Sequence, residues 1–332
     1  MKAIRVEQTG GPEVLQLEDI APIEEPGRGQ AVVRVVAAGV NFMDVGQRRG
    51  SYPRQVPFTL GAEGAGVVES VGEGVTEVKP SDRVAFTGIP GAYAEAVVAD
   101  ASRLIPLPDD FTFEQGAAFP LQGMTAHYLI HEFRKPKAGD FVLVHAAAGG
   151  MGGLLVQWAR HLGATVIGTT SSEEKARTAR EAGAEHVIVY TDEDFVAETK
   201  RITKEHGADL IIDGVGRSTF KGDLDGVAIR GHIVVFGAAS GPADPISPNA
   251  LMGRSFSVSG GSLANFIRTR EELLRRANDV IGGIKQGWLK LHITVLPIEE
   301  AQEAHKLLEG RRTTGKLVLS VEASRRAART RG

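Results

Sequence analysis

The sequence predicts an α/β protein with a doubly wound parallel sheet, joined to a second domain that is rich in short strands. Three observations support this prediction. The run Phe141–Val144 is apolar throughout, as expected of a parallel strand that helices cover on both faces. A glycine-rich turn and a segment with helical spacing follow it directly. Before about residue 110, short β-branched runs alternate with Gly and Pro, which is typical of an antiparallel barrel.

Local patterns place the elements along the chain. Strands are predicted in the first domain at residues 31–38, 64–72 and 82–86. A helical pattern follows at 113–128, and Pro120 breaks it in two. Strands of the parallel sheet, separated by helical segments, are predicted at residues 164–170, 186–190, 208–213 and 231–236. The later part is predicted to contain a β-like stretch that begins at 287–289, an amphipathic helix at 298–308 and a closing strand at 315–321.

The glycine-rich turn at residues 147–152 fits the dinucleotide fingerprint G-x-G-x-x-G, with alanine at the first glycine position. Gly149 allows the backbone to approach a pyrophosphate, and Gly152 allows the helix to pack close to the strand. The phosphates would lie over free N–H groups at the helix N-terminus. Because glycine is frequent here (41 of 332 residues), the flanking strand and helix support a nucleotide site better than the glycines alone. A purely structural tight turn is the alternative.

Composition narrows the class of protein. The length of 332 residues is enough for two domains, because single cores usually stop growing below this size. The net charge of −3 argues against a general polyanion-binding surface. The absence of cysteine excludes disulfides, thiolate chemistry and cysteine-ligated zinc. The N-terminus lacks the apolar core of a signal peptide, and no apolar run is long enough to span a bilayer. We therefore expect a cytoplasmic protein with no nucleic-acid or membrane partner.

The segment after the second strand of the parallel sheet bears on cofactor choice. A Rossmann site that selects NAD usually has an acid here, which binds the ribose 2′-hydroxyl. This chain has Ser171, Ser172 and Lys175 instead, and these residues suit the 2′-phosphate of NADPH. Glu173 and Glu174 intervene, but the helix dipole favours acids in a first turn whatever the ligand. The pattern favours NADPH over NADH.

Five stretches spread over nearly the whole chain support a family resemblance. They are AGVNFMD at 38–44, GAEGAGVV at 61–68, GMTA at 123–126, HAAAGG at 145–150 and TGKLVL at 314–319. With these stretches the chain resembles the zeta-crystallin-like quinone oxidoreductases, a zinc-independent branch of the medium-chain dehydrogenase/reductase superfamily. The resemblance implies a cofactor cleft between two domains, and relatives commonly form homodimers through a strand of the Rossmann domain.

The resemblance also implies a domain order. It places a GroES-like, β-barrel-type catalytic domain at residues 1–121 and a Rossmann NADP-binding domain at 122–285. Residues 286–323 would then return to the catalytic domain. Residues 324–332 form a basic, Arg-rich tail, which we expect to be frayed.

Departures from the zinc-dependent alcohol dehydrogenases of the same superfamily indicate which chemistry is expected. Those enzymes have a cysteine ligand where this chain has Asn41, and a histidine where it has Ala62. The four-cysteine structural zinc lobe has no counterpart around residues 88–95. Because catalytic zinc needs three protein ligands, we expect no metal and no zinc-dependent alcohol oxidation. The chemistry left is hydride transfer from a nicotinamide to a conjugated acceptor such as a quinone, an enone or an enoyl thioester.

The family pattern implies roles for individual residues. Asn41 and Tyr52 would lie in the substrate cleft as the candidate catalytic residues. The residues implied to contact phosphates and ribose are Thr125, Ala148, Gly149, Gly150, Met151 and Gly152. Those around the adenosine 2′-phosphate are Ser171, Ser172, Lys175 and Tyr190. Phe236 and Gly237 would lie along the nicotinamide, with Arg311 near the same cofactor. Relatives often have a tyrosine where this chain has Gly46, so we expect a wider or more open pocket.

Structural alternatives exist for several of these residues. Asn41 could bond backbone in a turn, Tyr52 could cover the core as an amphipathic lid, and Lys175 could pair with acids one helical turn away. His145 is expected to be a core histidine with its hydrogen bonds satisfied, and Glu63 to be structural. The nine histidines show no metal-ligand spacing. We expect no side chain to be an obligatory acid or base, since solvent can protonate the product.

The main hypothesis from the sequence is an NADPH-dependent, zinc-independent reductase of quinones or related α,β-unsaturated carbonyls. One alternative is an enoyl-thioester reductase, because the same fold and the same hydride addition serve both reactions. Another is a non-catalytic NADPH-binding or RNA-binding crystallin-like protein. The net charge of −3 argues against strong RNA affinity, because phosphate contacts dominate such binding.

Overall fold

The computed structural model describes residues 1–310 and 313–321, which fall into two compact units. Unit 1 contains Met1–Leu121, Thr269–Ala277 and the chain from Leu291 onwards. Unit 2 contains Gln122–Arg268 and Asn278–Lys290.

The strands and helices of the described residues follow in chain order, apart from short 3₁₀ turns. The first part contains β1 (Lys2–Val6), β2 (Leu15–Asp19), β3 (Gln30–Gly39), α1 (Phe42–Arg49), β4 (Phe58–Thr59), β5 (Glu63–Val71), β6 (Arg83–Thr87), β7 (Ala96–Asp100), β8 (Ile105–Pro106) and α2 (Phe113–Ala118). The middle part contains α3 (Pro120–His131), β9 (Phe141–Val144), α4 (Gly150–His161), β10 (Thr165–Thr170), α5 (Glu173–Ala182), β11 (His186–Val189), α6 (Phe195–Ile202), β12 (Ala208–Asp213), α7 (Phe220–Gly226), β13 (Val227–Val235) and β14 (Ser257–Gly260). The last part contains α8 (Arg270–Lys285), β15 (Ile293–Pro297), α9 (Ala301–Glu309) and β16 (Lys316–Ser320).

Unit 1 is built on two sheets. The larger has the strand order β15-β16-β3-β5-β6-β8, and β7 also pairs with β3. The smaller has the order β2-β1-β4. The long strand β3 is central because it pairs antiparallel with β5, β7 and β16, and Leu319 of β16 lies opposite Ala38. A core of Val, Leu, Ile and Phe residues from these strands includes the fully buried Val33 and Phe86. The pairing with β16 brings the closing strand beside the start of α1.

Unit 2 contains one six-stranded sheet in which every strand is parallel, in the order β11-β10-β9-β12-β13-β14. Its core includes Leu143, Ile167 and Ile211, all fully buried. Because β9 lies between β10 and β12, the strand order reverses at β9. The turn after β9 is therefore at the switch point, where open α/β sheets bind their ligands.

The predicted elements agree with most of these bounds. The helical pattern divides at Pro120 into α2 and α3, as predicted. The β-like stretch predicted to begin at 287–289 is wrong, because the strand starts only at Ile293. The Trp288 ring instead stacks on His161 at a centroid distance of 4.0 Å, and Leu289 N–H donates to Gly283 O. Side-chain packing thus overrides the local β pattern at this position.

No helix in the described part of the chain is long and apolar enough to cross a membrane.

Candidate active site

The turn after β9 leads into a helix start whose first backbone N–H groups have no side-chain cap. Ala147 N–H donates to Thr169 O at 3.0 Å, and Gly149 N–H donates to Ala146 O at 2.9 Å. Helix α4 then begins at Gly150, and no side chain caps its first turn. The orphan N–H groups of a helix start, together with its dipole, form a binding place for phosphate.

Small residues allow α4 to approach β9 and β10 closely. A β-carbon at Gly152 would overlap the Ala146 carbonyl oxygen and lie 2.7 Å from Ala147 Cα. A β-carbon at Gly168 would lie 2.7 Å from Ala147 Cβ. The close approach that the fingerprint requires of Gly152 is therefore present between α4 and the turn after β9. Of the other turn residues, Gly149, Gly150 and Met151 are half-buried and Ala148 is buried.

The predicted 2′-phosphate residues lie at the ends of β10 and β11. Lys175 Nζ donates to Ser171 Oγ at 3.3 Å, and Ser172 caps α5 by accepting from Lys175 N–H. Tyr190 N–H donates to Thr170 O at 3.0 Å, which places Tyr190 beside the same segment, with its side chain exposed. The ammonium of Lys175 and two hydroxyls are thus grouped at one edge of the sheet.

Glu173 does not face this group. Its carboxylate accepts from Arg180 Nη1 at 2.5 Å, two turns along α5, and this hydrogen bond lowers the pKa of Glu173. An arginine therefore already pairs with one of the two glutamates that complicate the cofactor assignment.

The remaining predicted cofactor residues lie on α3 and at the end of β13. Phe236 N–H donates to Asp213 O at 2.9 Å. The Phe236 ring lies against Gly214, where a β-carbon would come within 2.6 Å of Cζ. Gly237 lies beside the same glycine. Thr125, on α3, is half-buried, whereas Arg311 falls outside the described residues.

A buried polar cluster in unit 1 surrounds Asn41. Lys316 Nζ lies 2.6 Å from Asn41 Oδ1 and 2.6 Å from Glu63 Oε2. Asn41 Nδ2 donates to the same Glu63 oxygen at 2.9 Å, and Leu121 N–H donates to Glu63 Oε1 at 2.6 Å. Because a cation contacts one end of the Asn41 amide and a carboxylate the other, its orientation is fixed. Only 4% of Asn41 is exposed, so the cluster holds this side chain rather than leaving it free in solvent.

A second set of buried polar groups, joined by hydrogen bonds, begins at Asp44 in α1. Asp44 Oδ2 accepts from Asn41 N–H at 2.8 Å and from the Tyr93 hydroxyl at 3.1 Å. Tyr93 OH lies 3.4 Å from Nε2 of His305 in α9. Burial raises the pKa of Asp44 to about 7, and burial together with the charge of Arg48 lowers the pKa of His305 to about 3.

Two contacts of Arg48 join α1 to α9. Its guanidinium forms a two-pronged ion pair with Glu309, with Nη1–Oε2 at 3.1 Å and Nη2–Oε1 at 2.7 Å. Since the Arg48 side chain is fully buried, this pair fixes α1, and with it the position of Asn41 at the helix start.

Tyr52 occupies the space that Gly46 was expected to leave open. A β-carbon at Gly46 would overlap Cδ2 and Cε2 of the Tyr52 ring, and Tyr52 N–H donates to Gly46 O at 3.1 Å. The ring is still 58% exposed, and Phe42, one helical turn before Gly46, is 56% exposed. The glycine therefore allows an aromatic ring to lie on α1, and the expectation of a wider pocket does not hold at this point.

Comparisons with known proteins agree with this architecture. Residues 27–109 match the family model described as alcohol dehydrogenase GroES-like domain, and residues 150–279 match that of zinc-binding dehydrogenase. The quinone oxidoreductase of Pseudomonas aeruginosa is 42% identical over 322 residues, which cover 96% of this chain and 99% of the relative. The chain belongs to the quinone oxidoreductase family. It is thus an oxidoreductase of the medium-chain dehydrogenase/reductase superfamily, which confirms the predicted fold class and family.

Two further relatives bear on the cofactor and on the acceptor. The structure of Escherichia coli quinone oxidoreductase, complexed with NADPH, has a TM-score of 0.92 and 38% identity and covers 96% of this chain and 100% of that one. The 2-haloacrylate reductase of a Burkholderia species is 40% identical over 328 residues, covering 96% of this chain and 98% of the relative. Relatives named for two different acceptors, a quinone and 2-haloacrylate, are therefore about equally similar in sequence to this chain.

The sequence patterns do not predict the side chains that fix the position of Asn41 in the candidate site. The sequence pattern predicts only that Lys316 belongs to a closing strand, although a lysine at the start of the apolar run KLVLS is itself unusual. Arg48 and Asp44 gave no pattern that distinguishes them from solvated helix residues. Glu63 and His145 are both buried and hydrogen-bonded, which fits the structural roles expected of them.

Proposed function

We propose that this protein reduces a quinone or a related α,β-unsaturated carbonyl with NADPH. The observation that supports this most is the Lys175–Ser171 pair beside the uncapped start of α4, in a chain 38% identical to a relative solved with NADPH. When bound, the nicotinamide supplies a hydride to an acceptor that conjugation has already made electrophilic.

The residues of unit 2 fit a dinucleotide with a 2′-phosphate. The first N–H groups of α4 are free to bind the pyrophosphate, and the glycines leave no β-carbon in its way. Lys175 and Ser171 would bind the 2′-phosphate, with Ser172 capping the helix behind them and Tyr190 beside the adenosine. Thr125 would contact the phosphates and ribose, and Phe236 and Gly237 would lie along the nicotinamide. These assignments, and that of Arg311, stay predictions.

In unit 1, we propose that Asn41 and Tyr52 contact the acceptor. The exposed ring of Tyr52 offers a flat apolar surface to a conjugated ring. The amide of Asn41, fixed by Lys316 and Glu63, contributes position rather than proton transfer. The product then takes its proton from solvent.

Cofactor titrations test the proposal. We expect the purified protein to bind NADPH more tightly than NADH. K175A should weaken NADPH binding about tenfold or more, since a charge-assisted bond to phosphate contributes about 1.5–3 kcal/mol. R177A is the matched control, because it removes the same charge from the exposed side of the same helix. Equal affinity for both cofactors, unchanged in K175A, would contradict the 2′-phosphate assignment.

An acceptor panel separates the candidate reactions. The similarity to 2-haloacrylate reductase favours a small unsaturated acid as the second candidate acceptor. NADPH oxidation should be followed with quinones, enones, 2-haloacrylate and enoyl thioesters. Turnover of thioesters without quinones would select an enoyl-thioester reductase. NADPH binding without turnover, together with a salt-dependent RNA gel shift, would select the crystallin-like alternative.

We further propose that the protein is a homodimer. Strand β14 is an edge strand, and in the described residues it pairs only with β13. An open parallel edge is a ready partner for a second copy of the same edge. Light scattering should give twice the chain mass of 35.3 kDa, and V258P should shift the mass toward the monomer. A wild-type monomer at micromolar concentration would overturn this proposal. The cytoplasmic location stays a prediction.

A further inference from the structure

His145 is a buried titratable side chain that the proposed reaction does not use. It lies between β9 and the phosphate turn and is 5% exposed. Its Nδ1 is 2.9 Å from Thr169 Oγ1 on β10, and its Nε2 is 2.7 Å from Asp223 Oδ1 on α7. Its backbone N–H donates to Ile212 O of β12 at 3.3 Å. One residue therefore contacts both strands beside β9 and the helix that follows β12.

The contact with Thr169 joins the two phosphate-binding segments. Thr169 accepts from Ala147 N–H through its carbonyl oxygen and contacts His145 through its hydroxyl. Ala146, between these two bonds, has the left-handed φ of 51°. Two residues after Thr169, Ser171 begins the group that includes Lys175. Beyond the last ladder pair of β9 and β10, Val144–Gly168, two hydrogen bonds to one threonine therefore link the turn to the segment that leads to the Ser171–Lys175 pair.

The contact with Asp223 fixes the histidine ring. Asp223 Oδ2 has no hydrogen-bond partner among the described residues, so His145 supplies the bond that this buried carboxylate receives. Burial raises the pKa of Asp223 to about 6. Burial lowers the pKa of His145, but its hydrogen bond to the Asp223 carboxylate and the charges of Asp223 and Asp213 together raise that pKa above its ordinary value. Nε2 therefore holds a proton toward Asp223.

The bond to Thr169 does not depend on the protonation of the histidine. A neutral ring with its proton on Nε2 accepts from the Thr169 hydroxyl at Nδ1, and a protonated ring donates to the same hydroxyl. The ring also packs at a right angle against the Phe195 ring, at a centroid distance of 5.0 Å. The ring is thus held from three sides in either state.

We propose that His145 is a positioning residue for NADPH, which sets the distance between the pyrophosphate turn and the 2′-phosphate residues through Thr169. The proposal rests on the proposed NADPH-dependent function. Because NADH has no 2′-phosphate, a loosened turn should weaken NADPH binding more than NADH binding. A histidine that only stabilises the fold would leave this ratio unchanged.

Three variants separate the two bonds. In H145Q the longer side chain places its amide where Nε2 lies in the wild type. This variant therefore keeps the hydrogen bond to Asp223 and loses the one to Thr169. In H145N the shorter side chain places its amide where Nδ1 lies in the wild type. This variant therefore keeps the hydrogen bond to Thr169 and leaves Asp223 without its donor. T169V removes the hydroxyl from the other end of the first bond with little change in shape. All three are compared with wild type by calorimetric titration with NADPH and NADH and by thermal unfolding.

We expect H145Q and T169V each to lower the NADPH-to-NADH affinity ratio about fivefold, as the loss of one hydrogen bond would. Their double variant should be no worse than either alone, because both remove the same bond. H145N should keep a ratio near that of wild type, although its unfolding temperature falls.

Two results would overturn the inference. One is a wild-type ratio in both H145Q and T169V while their unfolding temperatures fall. The other is a fall in the NADPH-to-NADH affinity ratio of H145N that is as large as the fall in H145Q. If H145Q does not fold, T169V decides alone, and an unchanged ratio in that variant refutes the proposal. Failure of the wild-type protein to bind NADPH is a separate result, which refutes the proposed function.

Discussion

At the scale of single residues, the candidate site depends on groups whose ordinary chemistry is changed by burial. Asp44 lies at the first turn of α1, where a carboxylate normally gains from the helix dipole. Here it is fully buried and faces Tyr93 and the backbone of Asn41, with its Oδ1 unpartnered. At this buried position a protonated carboxyl costs less free energy than a charged one, because no donor forms a hydrogen bond to the second oxygen.

We expect the stability of the protein to fall as the pH rises toward 7. The pKa of Asp44 is about 7 in the folded state and 3.8 for an ordinary exposed aspartate, so between these pH values the folded state binds the extra proton. The free energy of unfolding should therefore decrease by about 1.4 kcal/mol per pH unit relative to D44N. Urea unfolding of both proteins from pH 4 to pH 8 measures this difference. Parallel curves would show that Asp44 is charged throughout.

The pair of Gly46 and Tyr52 gives a second prediction at this scale. In G46A the new β-carbon displaces the Tyr52 ring, while the alanine itself favours the helix by about 1 kcal/mol. The KM for a quinone should therefore rise about threefold to tenfold, a change of about 1 kcal/mol, without loss of stability. The Kd for NADPH should not change.

Steady-state kinetics with a quinone, beside NADPH titration, check this prediction. The double variant G46A/Y52A is the control, because a ring that is absent cannot be displaced. An unchanged KM in G46A would mean that Tyr52 does not contact the acceptor.

At the scale of elements, Lys316 joins β16 to the end of β3 and the start of β5. The three segments meet because β16 and β5 both pair with β3. The ammonium then lies between Glu63 and Asn41, with side-chain exposures of 3% for Lys316 and 0% for Glu63. A buried ion pair of this kind adds little net stability over apolar side chains of similar size. Removing one partner alone is nevertheless strongly destabilising, because the other charge stays buried and unpaired.

We expect K316M to lower the free energy of unfolding by about 3–5 kcal/mol, because it leaves the Glu63 carboxylate buried without its cation. K316M/E63Q should recover part of this loss. R201M is the control, since the Arg201 side chain is 70% exposed in its pair with Glu198 and exposed pairs contribute about 0–1 kcal/mol. A cost below about 1 kcal/mol for K316M would show that the cluster is not a linked unit.

At the scale of the whole molecule, cofactor binding should be linked to stability. A ligand that binds only the folded state stabilises it by RT ln(1 + [L]/Kd), which is about 2.7 kcal/mol at a concentration of 100 Kd. NADPH should therefore raise the unfolding temperature by several degrees, and NADH at the same concentration by less. K175A should reduce the NADPH effect to that of NADH. Equal shifts with both cofactors would contradict the assignment of Lys175.

The sequence alone determined the features that a short window of residues encodes. The strand–turn–helix around Gly149 and Gly152, the break at Pro120 and the lysine and serines after β10 follow from periodicity, glycine and local charge. Family membership was also predictable, because its motifs are contiguous stretches. These features depend on neighbours within a few turns of chain, so no knowledge of the sheet order is needed to find them.

Only the tertiary structure decided which distant residues meet. Lys316 and Asn41 are 275 positions apart, Arg48 and Glu309 are 261, and His145 and Asp223 are 78. Their contacts depend on strand register and on which helix covers which strand. For Lys316, which lies in a strand, a one-residue shift in register would turn the side chain to the opposite face of the sheet. Tyr52 and Gly46 are close in sequence, but whether the ring covers the glycine depends on a rotamer that packing selects. The local pattern of α1 contains no information about that choice.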